Sequence, residues 1–265
     1  MQVSCYRPVA FVLASTAHGS MILNRNDYQE TPNGSFGVGY QLLKTSFFDP
    51  DEVDLALQLL GARREVFGDG VVALDCGANI GVHSVEWARS MHGWGSVVSF
   101  EAQERIFYAL AGNIALNNCL NAKAVWCAVG SSCGEVRVPI LDYNRASSFG
   151  SLEIRAASQN EYIGQPANYS DSGTVPTPLI SIDSKNYPRV DLIKIDVEGM
   201  EMEVLEGAVE TIRIAKPIIL IETIKSDIDK INCFLSDLGY VTTPAGINIL
   251  AIHKSDPVVA LIKSK

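Results

Sequence analysis

Long apolar runs are missing from this chain of 265 residues. No stretch approaches the roughly 20 consecutive apolar residues that a membrane-spanning helix needs. The composition therefore predicts no stable membrane insertion. The short stretch VAFVLAST, which follows Arg7 and Pro8, is similar to the start of a signal peptide, but its length and the proline favour a first β-strand.

Basic residues are also scarce. The chain has 21 Lys and Arg against 30 Asp and Glu, a net charge of −9, and no run of five or six basic residues. Nucleic acids and anionic membrane surfaces attract basic patches. The charge balance therefore disfavours both as partners and favours a small-molecule or glycan acceptor.

Paired cysteines are the third absence. The six cysteines, which include Cys5, Cys76 and Cys127, contain no CxxC pair and no spacing typical of zinc ligands. Scattered thiols in apolar segments are typical of proteins in a reducing compartment rather than of a disulfide framework. We therefore expect a cytoplasmic protein.

Strand-like and helix-like segments alternate regularly from residue 71 onward. Near-continuous apolar strands separated by amphipathic helices are typical of a parallel sheet that is covered on both faces. The pattern predicts an α/β catalytic domain at residues 49–265, preceded by a strand-and-turn extension at 1–48. The predicted strands are 71–74, 97–100, 124–129, 191–196, 217–222, 240–243 and 248–253, and the predicted helices are 82–91, 104–117, 200–214 and 227–238.

Three further segments have a local signature. Asp49 can cap a helix that begins at Pro50 and is interrupted at Gly61. Residues 142–178 are polar and lack a sustained period, so they predict a substrate-covering loop or, alternatively, a mobile surface insertion. The Pro- and Gly-rich turn cluster at 31–40 could cover the mouth of a cofactor site.

A glycine-rich turn follows the first predicted strand of the alternating region. Residues 71–81 read VVALDCGANIG, with Gly77 and Gly81 flanking Asn79. Such a turn can hold a nucleotide-like cofactor at the carboxyl edge of a parallel sheet. Alternatively, the two glycines serve only the turn between strand and helix. Asp75 could fix the turn or bind the cofactor directly.

Glu101 ends the next apolar strand and lies about 20 residues beyond Gly81, the spacing at which such folds bind a ribose diol. The alternative is a solvated strand-end carboxylate. Farther along, charged Lys194, Asp196 and Glu198 alternate through an apolar strand. Because an unpaired buried charge is costly, these side chains predict a polar cavity or mutual pairing.

Five motifs carry a family resemblance: DxGANIG at 75–81, SFEA at 99–102, NIALNN at 113–118, AVG at 128–130 and DLIKIDVEGMExEVLEGA at 191–208. Over roughly residues 36–252 the chain resembles the FkbM family of S-adenosylmethionine-dependent methyltransferases. The resemblance implies a class I methyltransferase fold, which is Rossmann-like with a seven-stranded, mostly parallel sheet and an antiparallel strand inside it. It also implies S-adenosylmethionine as the cofactor and usually O-methylation.

With S-adenosylmethionine as the cofactor, single residues can be given expected roles, of which only that of Ala128 comes from the resemblance, and ordinary core packing is the alternative for Ala128. Ala78 lies in the glycine-rich turn, where Asp75 and Asn79 could bind the methionine amino group, and Ala128 matches a position near the adenine. Asp196 ends a central strand near the expected place of the transferred methyl. The other residues expected to serve catalysis are Glu198, Glu222 and Lys194.

The predicted function is methyl transfer to a hydroxyl of a sugar, glycan or specialised metabolite. Which of the three carboxylates is the base stays open, and together they could instead hold Mg²⁺ or Ca²⁺. A rival interpretation is an NAD(P)-dependent oxidoreductase, although DCGANIG lacks the GxGxxG order. A non-catalytic cofactor-binding module is the third interpretation. His83 could face the cofactor or only begin a helix.

Overall fold

The computed structural model describes residues 8–32 and 34–259, and Cys5 and Arg7 lie outside the described residues. The strands are β1 (Phe11–Thr16), β2 (Gly19–Asn24), β3 (Gln29–Thr31), β4 (Gly34–Phe36), β5 (Val71–Cys76), β6 (Gly95–Glu101), β7 (Ala122–Trp126), β8 (Ala128–Val129), β9 (Gly134–Pro139), β10 (Thr174–Ile180), β11 (Leu192–Ile195), β12 (Ile218–Glu222), β13 (Tyr240–Ala245) and β14 (Asn248–His253). The helices are α1 (Val38–Thr45), α2 (Pro50–Phe67), α3 (Val82–Ser90), α4 (Glu104–Leu116), α5 (Glu201–Glu206), α6 (Val209–Ala215) and α7 (Ile228–Asp237).

The central sheet contains seven strands in the order β13-β14-β12-β11-β5-β6-β7. Strands β12, β11, β5, β6 and β7 are parallel, while β14 is antiparallel to both β12 and β13. This order confirms the predicted Rossmann-like sheet, including the antiparallel strand inside it. The carboxyl ends of β5, β6, β11 and β12 therefore meet at one edge, where such sheets bind ligands.

Two apolar cores lie on opposite faces of this sheet. Leu192 of β11 belongs to the core that contains Trp87 of α3 and Leu110 of α4. Its neighbour Ile193 belongs to the other core, together with Leu205 of α5. Successive side chains of a strand point to opposite faces. The sheet is therefore covered by helices on both faces, as its nearly continuous apolar strands predict.

The predicted strand at 124–129 is divided between two sheets. β7 is the edge of the central sheet, whereas β8 pairs with β10 in a sheet of order β8-β10-β9. β10 is a strand that the sequence does not predict, because Pro176 and Pro178 lack the N–H groups that a strand ladder uses. It takes up the end of the segment predicted as a loop. We call the remaining part, residues 142–173, the cavity loop.

The prediction for α2 is wrong in two respects. The helix continues through Gly61 to Phe67, and a Cβ built on Gly61 would meet open space. A glycine here costs about 1 kcal/mol, which the burial of Leu59 and Leu60 offsets. Asp49 does not cap the helix, since its backbone is left-handed (φ 39°) and its side chain makes no capping hydrogen bond.

The single helix predicted at 200–214 is two helices, α5 and α6. They are separated near Gly207, where an added Cβ would overlap the carbonyl oxygen of Gly130. The chain is therefore in close backbone contact with the segment after β8 at this point. Such long-range contact leaves no periodic signal in the sequence.

The N-terminal segment packs on α4 and contains a helix, α1, that the sequence does not predict. The Asn113 side chain donates to the carbonyl oxygens of Ile22 at 3.0 Å and of Ile80 at 2.8 Å. Asn113 thereby joins β2 of the extension to the glycine-rich turn. The boundary between residues 48 and 49 stays a prediction.

The apolar stretch after Pro8 forms β1, as predicted. Across the described part of the chain, no helix combines the length and the apolar character that crossing a membrane requires.

Candidate active site

A cavity of about 220 Å³ opens at the carboxyl ends of β5, β6, β11 and β12. It brings together residues from four separate sequence motifs and from the end of β12. Ten residues that the sequence predicts for the site line it: Asp75, Gly77, Ala78, Asn79, Glu101, Ala128, Lys194, Asp196, Glu198 and Glu222.

Gly81 is the exception, because it does not line the cavity. Its backbone is left-handed (φ 88°) at the start of α3, and an added Cβ would lie 2.5 Å from Cδ1 of Leu110. Glycine is therefore needed here for the turn and for packing against α4. This placement matches the structural alternative rather than direct cofactor contact.

The turn after β5 is held close to the sheet. The N–H groups of Gly77 and Ala78 both donate to the carbonyl oxygen of Phe100, at 3.0 and 2.9 Å. Gly77 has a φ of 82°, and a Cβ on it would overlap the carbonyl oxygen of Asp196. Only glycine permits this approach between the ends of β5 and β11. At Gly77 the turn therefore lines the cavity with backbone alone.

Asp75 is buried beneath this turn and has one oxygen free. Its Oδ2 accepts a hydrogen bond from the Ser84 hydroxyl at 2.6 Å, and Ser84 in turn accepts one from Ser99 at 2.7 Å. The buried Oδ1 has no hydrogen-bond partner among the described residues. A buried, unsatisfied carboxylate oxygen is costly, so this atom is suited to a donor that enters the cavity.

Glu101 is buried at the end of β6 and is oriented by two backbone groups. Its Oε2 accepts from the N–H of Asn79 at 2.9 Å, and its Oε1 accepts from the N–H of Gln103 at 2.7 Å. Burial raises the pKa of the Glu101 carboxyl to about 7, although these two hydrogen bonds oppose the shift. Each oxygen keeps a second lone pair that can accept a ligand hydroxyl.

Asp196, Glu198 and Glu222 form a cluster in which one oxygen from each lies within 4.8 Å of the others. Two lysines neutralise part of this charge. Lys194 Nζ lies 2.7 Å from Asp196 Oδ2, and Lys225 Nζ lies 2.7 Å from Glu198 Oε2. No such ion pair is recorded for Glu222 among the described residues.

The cluster shifts the proton affinity of its members. Burial and the charges of Asp196 and Glu198 raise the pKa of the Glu222 carboxyl, and Lys194 only partly opposes this. Burial and Asp196 also raise the pKa of Glu198, against the effect of Lys225. Burial alone would lower the pKa of Lys194, but its carboxylate neighbours raise it overall. At neutral pH the cluster therefore tends to retain a proton, and Glu222 holds it most strongly.

Glu201 orients the turn that carries Glu198. Its Oε1 accepts from the N–H groups of Val197 at 3.2 Å and Gly199 at 3.1 Å, and the Ser226 hydroxyl donates to its other oxygen. Glu198 itself has a left-handed backbone (φ 55°). Glu201 is thus a buried structural carboxylate at the start of α5.

Glu52 is a site residue that sequence reasoning missed. Its Oε2 accepts from the Asn248 amide at 2.6 Å, while its Oε1 lies 3.2 Å from His83 Nε2 and 3.8 Å from Lys194 Nζ. Burial would raise the pKa of Glu52, but His83 and Lys194 lower it to about 2. All four side chains line the cavity. Acidic residues are common in the first turn of a helix, so the position of Glu52 just after Pro50 does not indicate in the sequence that it belongs to the site.

The remaining wall comes from α1 and the cavity loop. Asp27 joins these two elements, since its Oδ2 accepts from the N–H of Gly39 at 2.9 Å and its Oδ1 accepts from the N–H of Phe149 at 3.1 Å. Ser148 and Ser151 of the loop line the cavity directly. The turn cluster at 31–40, which the sequence predicts at the mouth of the cofactor site, contributes Phe36, Gly37 and Val38 to the lining of the cavity.

Known proteins resemble this chain in sequence. The family described as the methyltransferase FkbM domain matches residues 75–242. Methyltransferase sdnD of Sordaria araneosa is 29% identical over 156 residues, or 52% of this chain and 60% of the relative. Methyltransferase 1 of Beauveria bassiana is 25% identical over 151 residues, or 53% of this chain and 59% of the relative. The chain thus spans about three fifths of the length of these curated relatives.

Solved structures are similar at a greater distance. Methyltransferase FkbM from Methylobacillus flagellatus is 20% identical, with a TM-score of 0.47 over 70% of this chain and 43% of that chain. The METTL16 methyltransferase domain is 11% identical, with a TM-score of 0.46 over 88% of both chains. The strand order of the central sheet, rather than these likenesses, identifies the fold.

Proposed function

The chain belongs to the methyltransferase FkbM domain family, and we propose that it transfers a methyl group to a hydroxyl of a sugar, glycan or specialised metabolite. The cofactor of this family is S-adenosylmethionine. The observation that carries the proposal is the convergence of the Gly77 turn, Glu101 and the carboxylate cluster on one cavity.

The cavity residues fit this cofactor. Glu101 presents two oriented oxygens with free lone pairs, as recognition of a ribose diol requires. The unpartnered Oδ1 of Asp75 suits the cationic amino group of the methionine portion. Gly77 keeps the turn free of side-chain bulk, and Ala128 contributes a small apolar surface for the adenine.

When bound, S-adenosylmethionine supplies a methyl group on a cationic sulfonium, which is already a strong electrophile. The chain has to hold the acceptor oxygen in line and accept its proton as the new O–C bond forms and the C–S bond breaks. In its deprotonated form Glu222 suits the proton acceptor best, because its raised pKa makes that carboxylate the strongest base of the cluster and no lysine pairs with it among the described residues. Lys194 and Asp196 would orient the acceptor beside it.

The acceptor class follows from the charge of the cavity. Among the described residues, Lys194 is the one lysine or arginine that lines it. An anionic acceptor would meet several carboxylates and would have to be desolvated beside them, which is unfavourable. An uncharged polyol therefore fits best. The acidic lining residues are Asp49, Glu52, Asp75, Glu101, Asp196, Glu198 and Glu222.

The test starts with isothermal titration of the protein with S-adenosylmethionine, S-adenosylhomocysteine, NAD and NADP. We expect binding of both sulfur compounds and none of the dinucleotides; the reverse result would support an oxidoreductase. A panel of hydroxyl acceptors, each offered in a neutral form and as its uronic acid, then tests methyl transfer. Binding of the cofactor without transfer to any acceptor would favour a non-catalytic module.

A further inference from the structure

Lys225 joins the cavity loop to the catalytic edge of the sheet. It lies after β12, and its Nζ contacts three oxygens that are far apart in the sequence. These are the carbonyl oxygen of Ser151 at 2.7 Å, Glu161 Oε2 at 2.9 Å and Glu198 Oε2 at 2.7 Å. One ammonium group therefore uses its three donors on the loop and on the carboxylate cluster at once.

Water has little access to Lys225 and cannot readily replace its three partners. The side chain is only 13% exposed, so loss of any one partner leaves a largely buried charge less satisfied. Ser151 lines the cavity, and its hydroxyl lies 2.9 Å from that of Ser148 on the same wall. The position of the Lys225 ammonium consequently determines where this wall stands relative to Glu198.

Lys225 does not contact the cofactor side of the cavity, which the cavity loop reaches separately through the Phe149 carbonyl oxygen, an acceptor for Gln103 Nε2 at 2.8 Å. Glu101 and Asp75 are held by Asn79, Gln103 and Ser84, and Lys225 makes no recorded contact with any of them. Removing the contacts of the Lys225 ammonium should therefore change the acceptor side of the cavity and leave cofactor binding nearly unaltered.

We propose that Lys225 is a positioning residue that straps the cavity loop to Glu198 and so shapes the acceptor-binding side of the cavity. This inference rests on the proposed function for its meaning, but its structural part can be tested without an acceptor. The strap also assigns Glu198 to an ion pair rather than to proton transfer, which leaves Glu222 as the carboxylate of the cluster that pairs with no lysine among the described residues.

The loop has a second ion pair that provides a matched control. Arg155 Nη1 lies 2.7 Å from Glu203 Oε1 on α5, and its side chain is 50% exposed. Neither residue lines the cavity. Removing this pair disturbs the same loop without touching Glu198.

The experiment compares Lys225→Met, Lys225→Arg and Arg155→Met by hydrogen–deuterium exchange of amides 148–161. Titration with S-adenosylmethionine and kinetics with a neutral acceptor complete the comparison. In Lys225→Met we expect exchange in this segment about tenfold faster or more, because local opening loses three contacts. The cofactor Kd should stay within about twofold and the acceptor kcat/KM should fall about 10- to 100-fold, since positioning is lost.

Lys225→Arg should recover most of the exchange protection and activity, because it keeps the positive charge. Arg155→Met should leave kcat/KM within about twofold of wild type, as an exposed pair contributes little. Glu161→Gln removes one strap contact at an exposed site, and it should raise exchange in the same direction if Lys225→Met does not fold.

Unchanged exchange at 148–161 in both Lys225→Met and Glu161→Gln would overturn the strap, and so would a cofactor Kd that weakens as much as kcat/KM falls. If the wild type methylates no acceptor, the proposed function fails, while the exchange data still decide whether the strap exists.

Discussion

Gly77 and Asp196 meet backbone to backbone at the carboxyl ends of β5 and β11, so closely that a Cβ on Gly77 would overlap the Asp196 carbonyl oxygen. The turn that borders the cofactor side of the cavity and the residue that borders its catalytic side are therefore in direct backbone contact. A side chain at position 77 would therefore displace the end of β11.

Gly77→Ala should damage both stability and cofactor binding. The methyl group clashes with backbone and the φ of 82° is unfavourable for alanine, so we expect a loss of about 1–3 kcal/mol in the free energy of unfolding. Denaturant unfolding and titration with S-adenosylmethionine measure the two effects. Gly61→Ala is the control, because its Cβ meets open space inside α2 and should stabilise by about 0.5–1 kcal/mol. Equal behaviour of the two variants would contradict the close contact.

Glu101→Gln and Asp196→Asn should separate binding from chemistry. In Glu101→Gln one backbone N–H faces an amide NH₂ and a ribose acceptor is lost, so we expect the cofactor Kd to weaken about 10- to 100-fold. Asp196→Asn keeps the shape of the side chain but removes the negative charge that pairs with Lys194, and kcat should fall about 100-fold or more. Titration and initial rates at saturating cofactor measure the two effects. Matching changes in Kd and kcat for both variants would refute these roles.

Glu222→Gln should flatten the dependence of stability on pH. The pKa of Glu222 is raised in the folded state from its ordinary 4.5, so the folded protein binds this proton more tightly than the unfolded chain does. Stability from this group is therefore complete below pH 4.5 and declines as the pH rises above it. Thermal denaturation between about pH 5 and pH 8 should show a growing advantage of Glu222→Gln over wild type. Glu65→Gln, which removes an exposed carboxylate, is the control and should run parallel to wild type.

Methyl transfer should survive removal of divalent cations. Lys194 and Lys225 already neutralise the charges of Asp196 and Glu198, so a bound Mg²⁺ or Ca²⁺ is not needed to neutralise them. We expect the rate after dialysis against EDTA to stay within about twofold of the untreated rate. Restoration of a lost rate by Mg²⁺ or Ca²⁺ would instead establish the carboxylate cluster as a metal site.

Arg63→Met should unfold the protein more easily without affecting the cavity. Arg63 is buried at the opposite edge of the sheet, where its Nε lies 3.1 Å from Asp191 Oδ1 and its Nη1 2.5 Å from Asp256 Oδ2. Leaving these carboxylates without Arg63 should cost about 3–5 kcal/mol. Arg64→Met breaks an exposed ion pair with Asp69 and a cation–π contact with Trp94, and it should cost about 1 kcal/mol. Both variants should retain the wild-type cofactor Kd, and a weakened Kd in Arg63→Met would show that the network supports the cavity.

Local patterns predicted much of the site. The ends of the apolar strands could be predicted from the sequence, and the carboxyl ends of parallel strands meet at one edge of a sheet. Glu101, Asp196 and Glu222 could therefore be expected to lie close together, and all three line the cavity. Gly81 could not be separated from Gly77 in this way, because both have positive φ and only packing against Leu110 assigns Gly81 to the turn.

The sequence alone determined the alternation of strands and helices, the glycine turn and the set of carboxylates at one edge, because each depends on neighbours within a few positions. Only the tertiary structure decided which carboxylates are neutralised. Lys225 reaches Ser151 and Glu198, and Glu52 reaches His83 and Lys194, across long stretches of chain. Charge pairing depends on distance in space, and no periodicity in the sequence encodes that distance.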